Sequence, residues 1–228
     1  FNEGLTKIGS WAFRDCKALD SITIPFSTLE IGREVFSGCT GLEEVVLSDG
    51  LKRIGNSVFR CCTSLQSINI PSTVEDICSC AFSYCTNLRE VVLSDGLKKI
   101  EDSVFQECTS LQSITIPSTV DEIGNLAFSY CTNLRDVVFN NGIKKIGQSA
   151  FQGCSSLERI TIPSTVDEIG SSAFRGCSSL REIVIHDEGV QKIGDTVFTN
   201  CTSLERFKLP SLSTRLDNII QAGQRDIE

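Results

Sequence analysis

The chain has 228 residues, with 21 Lys and Arg against 29 Asp and Glu, a formal charge of −8 and a pI near 4.8. That balance lacks the basic stripe that displaces counterions from nucleic acid, which speaks against nucleic-acid binding, and no apolar run reaches the ~18 residues of a membrane-crossing helix, so no segment of this chain is expected to span a membrane. With 40% hydrophobic residues the chain is long enough to bury a large core in one or two domains, and a start inside a repeat with no Met reads as a fragment, any leader lying upstream.

From the N-terminus onward one pattern recurs. Phe13, Phe36, Phe59, Phe82, Phe105, Phe128, Phe151, Phe174 and Phe198 are spaced by 23 residues seven times and then by 24, where HDEGVQ carries one extra residue. Ile precedes each Phe by five, from Ile8 to Ile193; Cys follows by three, from Cys16 to Cys201; Leu follows by six, from Leu19 to Leu204. Aliphatic residues follow at nine and eleven, as Ile22 and Ile24 do, with aromatic exceptions at Phe139 and Phe207. Nine copies at a fixed period predict a solenoid in which no single copy closes its own core. Each copy is expected to be one coil, its L-x-x-I-x-I segment a strand about 4.8 Å from its neighbours. The six or seven residues around A-F-x-x-C predict one helical or 3₁₀ turn on the convex side, and nine coils give a parallel sheet roughly 40 Å long on a curved concave face.

The pattern I-P-x-x-V-x-x-I-G-x-x-A-F-x-x-C-x-x-L followed by L-x-x-I-x-I resembles the BspA-like leucine-rich repeat family over residues 4–210. PFSTLE at 25–30, Cys78 and Glu101 depart from it. The resemblance implies a right-handed leucine-rich-repeat solenoid of the α/β-type horseshoe class, occupying 1–210. It also implies attachment to proteins or glycoproteins through exposed solenoid faces, at a cell surface or outside the cell.

Two versions of the repeat alternate, IPSTVDEIG at 116–124 and 162–170 with IPSTVEDIC at 70–78, against SDGLKRIG and SDGLKKIE. The pair before each repeat Ile therefore runs Lys52-Arg53, Glu75-Asp76, Lys98-Lys99, Asp121-Glu122, Lys144-Lys145, Asp167-Glu168, Gln191-Lys192. Stacked coils then set basic on acidic, which favours the correct register by roughly 0.2–1 kcal/mol per pair. A doubled gene segment kept by chance is the other account.

Side chains alternate in and out along a strand, which makes the positions eight and ten after each Phe the candidate binding face. The first column carries Glu44, Glu90, Asp136, Arg159, Glu182 and Arg206; the second carries Val46, Asn69, Val92, Thr115, Val138, Thr161, Val184 and Lys208. A Val/Thr stripe bordered by charge suits a protein-binding groove, although β-branched residues also simply suit strands. Beside these columns, seven after each Phe, run Asp20, Glu43, Gln66, Arg89, Gln112, Arg135, Glu158, Arg181 and Glu205. Charge drifts along the face, from Asp20, Glu43 and Glu44 in the first coils to a mixture rich in Arg in the last three.

Catalytic and metal chemistry is not indicated. Nine of the 12 cysteines occupy the repeat position, where Cys behaves as a small buried hydrophobe, and their spacing contains no zinc-binding C-x-x-C pair. Free thiols fit a reducing compartment, against the surface location that the resemblance implies. Cys61, Cys78 and Cys80 lie off the pattern; exposed thiols, or a disulfide from Cys61 to either of the others, both fit. His186, the single histidine, sits at the concave rim away from any cysteine nucleophile. Phosphate-loop, dinucleotide and serine-hydrolase motifs are lacking, so the chain reads as a non-enzymatic scaffold without cofactor. N-C-T at 200–202 matches a glycosylation sequon, discounted because Cys201 belongs to the core. Residues 211–228 form an expected amphipathic helix, with Thr214 and Asp217 at its start and Leu216, Ile219 and Ile220 on one face, capping the solenoid or beginning a linker. At the other end Phe1 and Trp11 suggest an apolar edge through which two chains pair.

The favoured function is a protein-interaction or adhesion scaffold. A structural spacer and a carbohydrate-binding module are the alternatives; the candidate columns carry no Trp or Tyr to stack on a sugar, and Tyr84 and Tyr130 fall on the opposite side.

Overall fold

The computed structural model describes residues 4–186 and 189–208, which form a parallel β-solenoid with two strands in each coil. The expected C-terminal helix and Phe1 lie outside the described residues. One strand per coil is the dipeptide ending in the repeat Ile: Lys7–Ile8, Glu30–Ile31, Arg53–Ile54, Asp76–Ile77, Lys99–Ile100, Glu122–Ile123, Lys145–Ile146, Glu168–Ile169 and Lys192–Ile193. These nine pair in coil order into one continuous parallel sheet. The continuous sheet is therefore not the one expected from the L-x-x-I-x-I segments. Those form longer strands grouped into smaller sheets: Ser21–Thr23 with Glu44–Val46, Ser67–Asn69 with Glu90–Val92, Ser113–Ile116 with Asp136–Phe139, and Arg159–Ile162 with Glu182–Ile185 and Arg206–Lys208.

Proline explains the grouping. His186 donates its backbone N–H to the Ile162 carbonyl at 3.2 Å, linking two coils. One coil earlier the same place is taken by Pro163, which has no N–H for Phe139; Pro71 and Pro117 repeat the break. Over the first three pairs of coils, long-strand pairing thus runs from the proline-bearing coil into the coil after it and stops before the next, so the structural unit there is two coils; the last sheet departs, continuing from Glu182–Ile185 to Arg206–Lys208.

Side chains of the two coil types complete each other. Ser48 and Ser94, from the S-D-G turns, donate to the Ile24 and Ile70 carbonyls of the preceding coil at 2.6 and 2.7 Å. Thr73 and Thr119, from the P-S-T turns, donate to the Leu51 and Leu97 carbonyls at 2.9 and 2.7 Å. Asn140 replaces the next Ser, and Thr165, the next hydroxyl of its series, is buried without a hydrogen-bond partner. The charged pairs alternate as expected, with Glu30, Arg53, Asp76, Lys99, Glu122, Lys145, Glu168 and Lys192 in continuous register. Ion pairs follow, including Lys98–Glu75 at 3.0 Å, Lys99–Glu122 at 3.1 Å and Lys192–Glu168 at 2.9 Å. Hydrogen bonds from Lys98 and Lys192 hold the Glu75 and Glu168 carboxyls below the usual carboxylate range. Converting Lys98 and Lys99 to Glu stacks three acidic pairs in succession. Denaturant titration at low ionic strength is expected to register a loss of stability that shrinks as salt screens these exposed charges. A loss that molar salt leaves unchanged would argue against charge as its cause.

The core is a set of parallel ladders. The nine Phe rings stack from Phe13 to Phe198 with centroid separations between 5.1 and 5.8 Å and planes within 16° of parallel. That spacing rules out the helical turn expected beside it, since an α-helix with its side chains is about 10 Å wide. No helix occurs among the described residues. Instead, each coil runs through successive turns in which alternate N–H groups bond onward to the next coil: Glu34 to Asn56, Phe36 to Val58 and Gly38 to Arg60, at 2.8–2.9 Å. The intervening groups bond back three residues, as Ser37 does to Glu34 and Cys39 to Phe36. Two residues before and two after every ladder Phe the backbone is left-handed, at 15 non-Gly positions and at Gly38, Gly153 and Gly176. Each non-Gly residue there costs about 1 kcal/mol, offset by the inter-coil bond that this conformation aims outward.

The cysteines act as donors within the core. Cys62, Cys85, Cys108 and their successors direct Sγ to the carbonyl of the Phe one coil earlier at 3.1–3.2 Å. Burial raises these thiols, Cys39 to about 11, Cys201 to about 12 and the interior ones further, so they stay protonated. Cys16, in the first coil, is exposed and departs from the buried ladder.

Candidate interaction surface

The long strands bury one side and expose the other. Val45, Ile68, Val91, Ile114, Ile160 and Ile183 point into the core, while Glu44, Asn69, Glu90, Thr115, Asp136, Arg159, Thr161 and Arg206 are exposed as expected. Val46, Val92 and Val138 are exposed at 43%, 45% and 50% and recur every second coil. In register beside them stand Thr23, Asn69 and Thr115. The face is thus an apolar row diluted by small polar side chains. Val184 departs from this and is half-buried, since its strand is central in the three-stranded sheet and is flanked on both sides. Glu182 departs too, its side chain only 14% exposed and held by Arg159 Nε at 2.9 Å. Lys208 pairs with Val184 through the backbone, and its side chain lies outside the described residues.

Toward the C-terminal end the face opens into a groove lined by Arg135, Glu158, Arg181 and Glu205 in one column and by Asp136, Arg159, Glu182 and Arg206 in the next. The first of these columns was legible in the sequence as charge beside the strand, but only the structure joins it to the second as one lining. The signal was available, for position seven after each Phe reads Arg, Glu, Arg, Glu over the last four coils. A shallower depression beside it holds Val138, Phe139, Thr161, Pro163 and the exposed His186.

On the opposite side Tyr84 and Tyr130 are exposed. The Arg60 guanidinium lies 5.3 Å from the Tyr84 ring centre, and Gln152 donates to the Tyr130 hydroxyl at 3.3 Å. All 12 cysteines are free thiols; Cys61 and Cys80 are half-buried, and Cys78 is buried with Arg53 Nε donating to its sulfur at 3.3 Å. Among the described residues no group of three or more His, Cys, Asp or Glu is placed to hold a metal ion.

Comparison with known proteins places these features. The sequence matches the BspA-type leucine-rich repeat region in six copies, over residues 1–112 and 98–227. A leucine-rich repeat protein from Bacteroides ovatus is 33% identical with a TM-score of 0.82, over 91% of this chain and 53% of that one. This chain therefore spans about half the length of that relative. The T. pallidum leucine-rich repeat protein is 27% identical with a TM-score of 0.64, over 98% of this chain and 93% of that one. The pneumococcal vaccine antigen PcpA is 17% identical with a TM-score of 0.50, over 98% of this chain and 70% of its own, and shares the fold. No curated protein matches the sequence.

Proposed function

The chain belongs to the BspA-type leucine-rich repeat family, and from that premise we propose that it is a non-enzymatic scaffold that binds a protein or glycoprotein along the long-strand face. The observation that carries this reading is the row of Val46, Val92 and Val138, left in solvent at 46-residue intervals beside the charged columns. Exposed apolar side chains in a polar border supply the area that partner burial needs. Their even spacing suits an extended or repetitive ligand better than a small molecule.

A second reading is a structural spacer. It draws support from the close mutual fit of the two coil types, which is sufficient reason for near-identical repeats without any ligand.

The two are separated by affinity capture from the source organism's surface and lysate fractions. The bait is this chain beside its Val46→Lys, Val92→Lys double variant, both first shown to be folded by circular dichroism. A binding module is expected to lose its partner by at least ~10-fold, since each lysine sets an unpaired charge in the contact. Capture of nothing, or equal capture by both baits, would leave the spacer.

A further inference from the structure

We propose that the last four coils present a self-complementary charged face through which two copies of this chain associate in antiparallel orientation, a use of the long-strand face that rests on its reading as a binding surface. Within one copy Arg135, Glu158, Arg181 and Glu205 run down one column and Asp136, Arg159, Glu182 and Arg206 down its neighbour. Charge alternates along both columns and across them. Four Arg balance four acids, so the patch is neutral in a chain of formal charge −8.

A two-fold axis lying in this face, across the coils between Glu158 and Arg181, reverses coil order and keeps each column on itself. It sets Arg135 against the second copy's Glu205, Glu158 against Arg181, Asp136 against Arg206 and Arg159 against Glu182. In an isologous contact each pairing occurs twice, so every facing pair is of opposite sign. A slip of one coil sets Glu158 on its own counterpart and Arg181 on Arg135. The pattern therefore fixes the register of the pair as well as permitting it.

Coil stacking alone does not require this alternation. The same two columns in the first three coils carry Asp20, Glu43 and Gln66 beside Ser21, Glu44 and Ser67, and there Ser21–Thr23 still pairs with Glu44–Val46. Like charges at Glu43 and Glu44 also disfavour that end as a self-contact. In the C-terminal patch the Arg159 side chain remains 72% exposed although its Nε is held by Glu182. A guanidinium offers five donors, so it is oriented in advance with donors remaining for a second carboxylate. Thr161 and the partly covered Val184 border the patch and supply some apolar contact.

The contact is small, roughly 20 Å by 13 Å from strand and residue spacings, which places it among weak, salt-sensitive associations. Sedimentation velocity at low ionic strength tests it, with the chain taken up to ~0.5 mM, a range suited to weak contacts. Wild-type chain is expected to form dimers that dissociate as salt rises. Glu158→Arg alone and Arg181→Glu alone are expected to be monomeric, because each sets like charges together twice. An equimolar mixture of the two is expected to recover a heterodimer, because Glu at 181 then faces Arg at 158. The Asp136→Arg and Arg206→Asp pair repeats the test should either first variant fail to fold. A wild-type chain that stays monomeric, single variants that still associate, or a mixture that does not recover would each overturn the proposal. Partner capture that survives such a result would leave the binding-scaffold reading intact.

Discussion

Replacing Phe105 by alanine is expected to cost about 3–5 kcal/mol of folding stability, read as the shift in urea midpoint at constant slope. The ring is fully buried, 5.5 Å from Phe82 and 5.4 Å from Phe128, and each stacked pair adds about 0.5–1.5 kcal/mol beyond the area buried. Neighbouring coils cannot close the gap, because Phe82 N–H to Val104 at 2.9 Å and Phe105 N–H to Ala127 at 2.8 Å hold the backbone apart. The loss falls mid-array, where each coil relies on its neighbours alone. Phe13→Ala, in the half-buried first coil, is expected to cost about half as much. A Phe105→Ala loss below about 1 kcal/mol would mean that the ring ladder is not the spine of the core.

Gly96→Ala is expected to cost about 2–4 kcal/mol through backbone contact alone. A Cβ there would overlap the Ser72 carbonyl oxygen of the preceding coil and lie 2.9 Å from its carbon and 3.0 Å from the Val74 oxygen. All of these are backbone atoms, and none ends a flexible side chain free to swing away. Gly50 and Gly142 meet Phe26 and Ser118 in the same manner, so the S-D-G turn needs glycine for close approach. Gly9 is the control: no atom lies within 4 Å of its Cβ position, and Gly9→Ala is expected to be neutral or to stabilise by about 0.4–1 kcal/mol through the unfolded chain. Equal thermal midpoints for Gly96→Ala and wild type would show that the coils stand further apart than the geometry requires.

Much of this was legible in the residues. The 23-residue period fixed the coil, and Ile, Phe, Cys and Leu at constant offsets fixed its interior, because a side chain that stacks on its own copy must recur in every coil. Alternating Lys and Glu pairs gave the register of the short strands. The convex turn was misjudged because A-F-x-x-C fits a helical turn when taken by itself. Only the ring separation reveals that the next coil is too near to leave helix-wide space and that it takes the alternate N–H groups. The break in the long sheet was visible as Pro71, Pro117 and Pro163, but its meaning depended on knowing which carbonyl each missing N–H would have met. Among the described residues the outward columns are exposed as the alternation along a strand implies, except where pairing on both sides covers Val184 and an ion pair draws Glu182 inward. Position seven reads as ordinary solvated charge in one dimension; its fit to the next column exists only across coils.

The fit of each coil to an unlike neighbour also sets how such an array can change in length. Unequal crossing-over between near-identical segments deletes or duplicates whole copies of the repeat. An offset of 23 residues joins two coils of one kind and sets acid against acid or base against base where the present register pairs opposite charges. An offset of 46 residues rejoins complementary coils and keeps every hydroxyl, proline and charge in its proper order. Arrays of this kind are therefore expected to vary among natural alleles by even numbers of coils, each step lengthening the exposed valine row by one residue without altering its spacing.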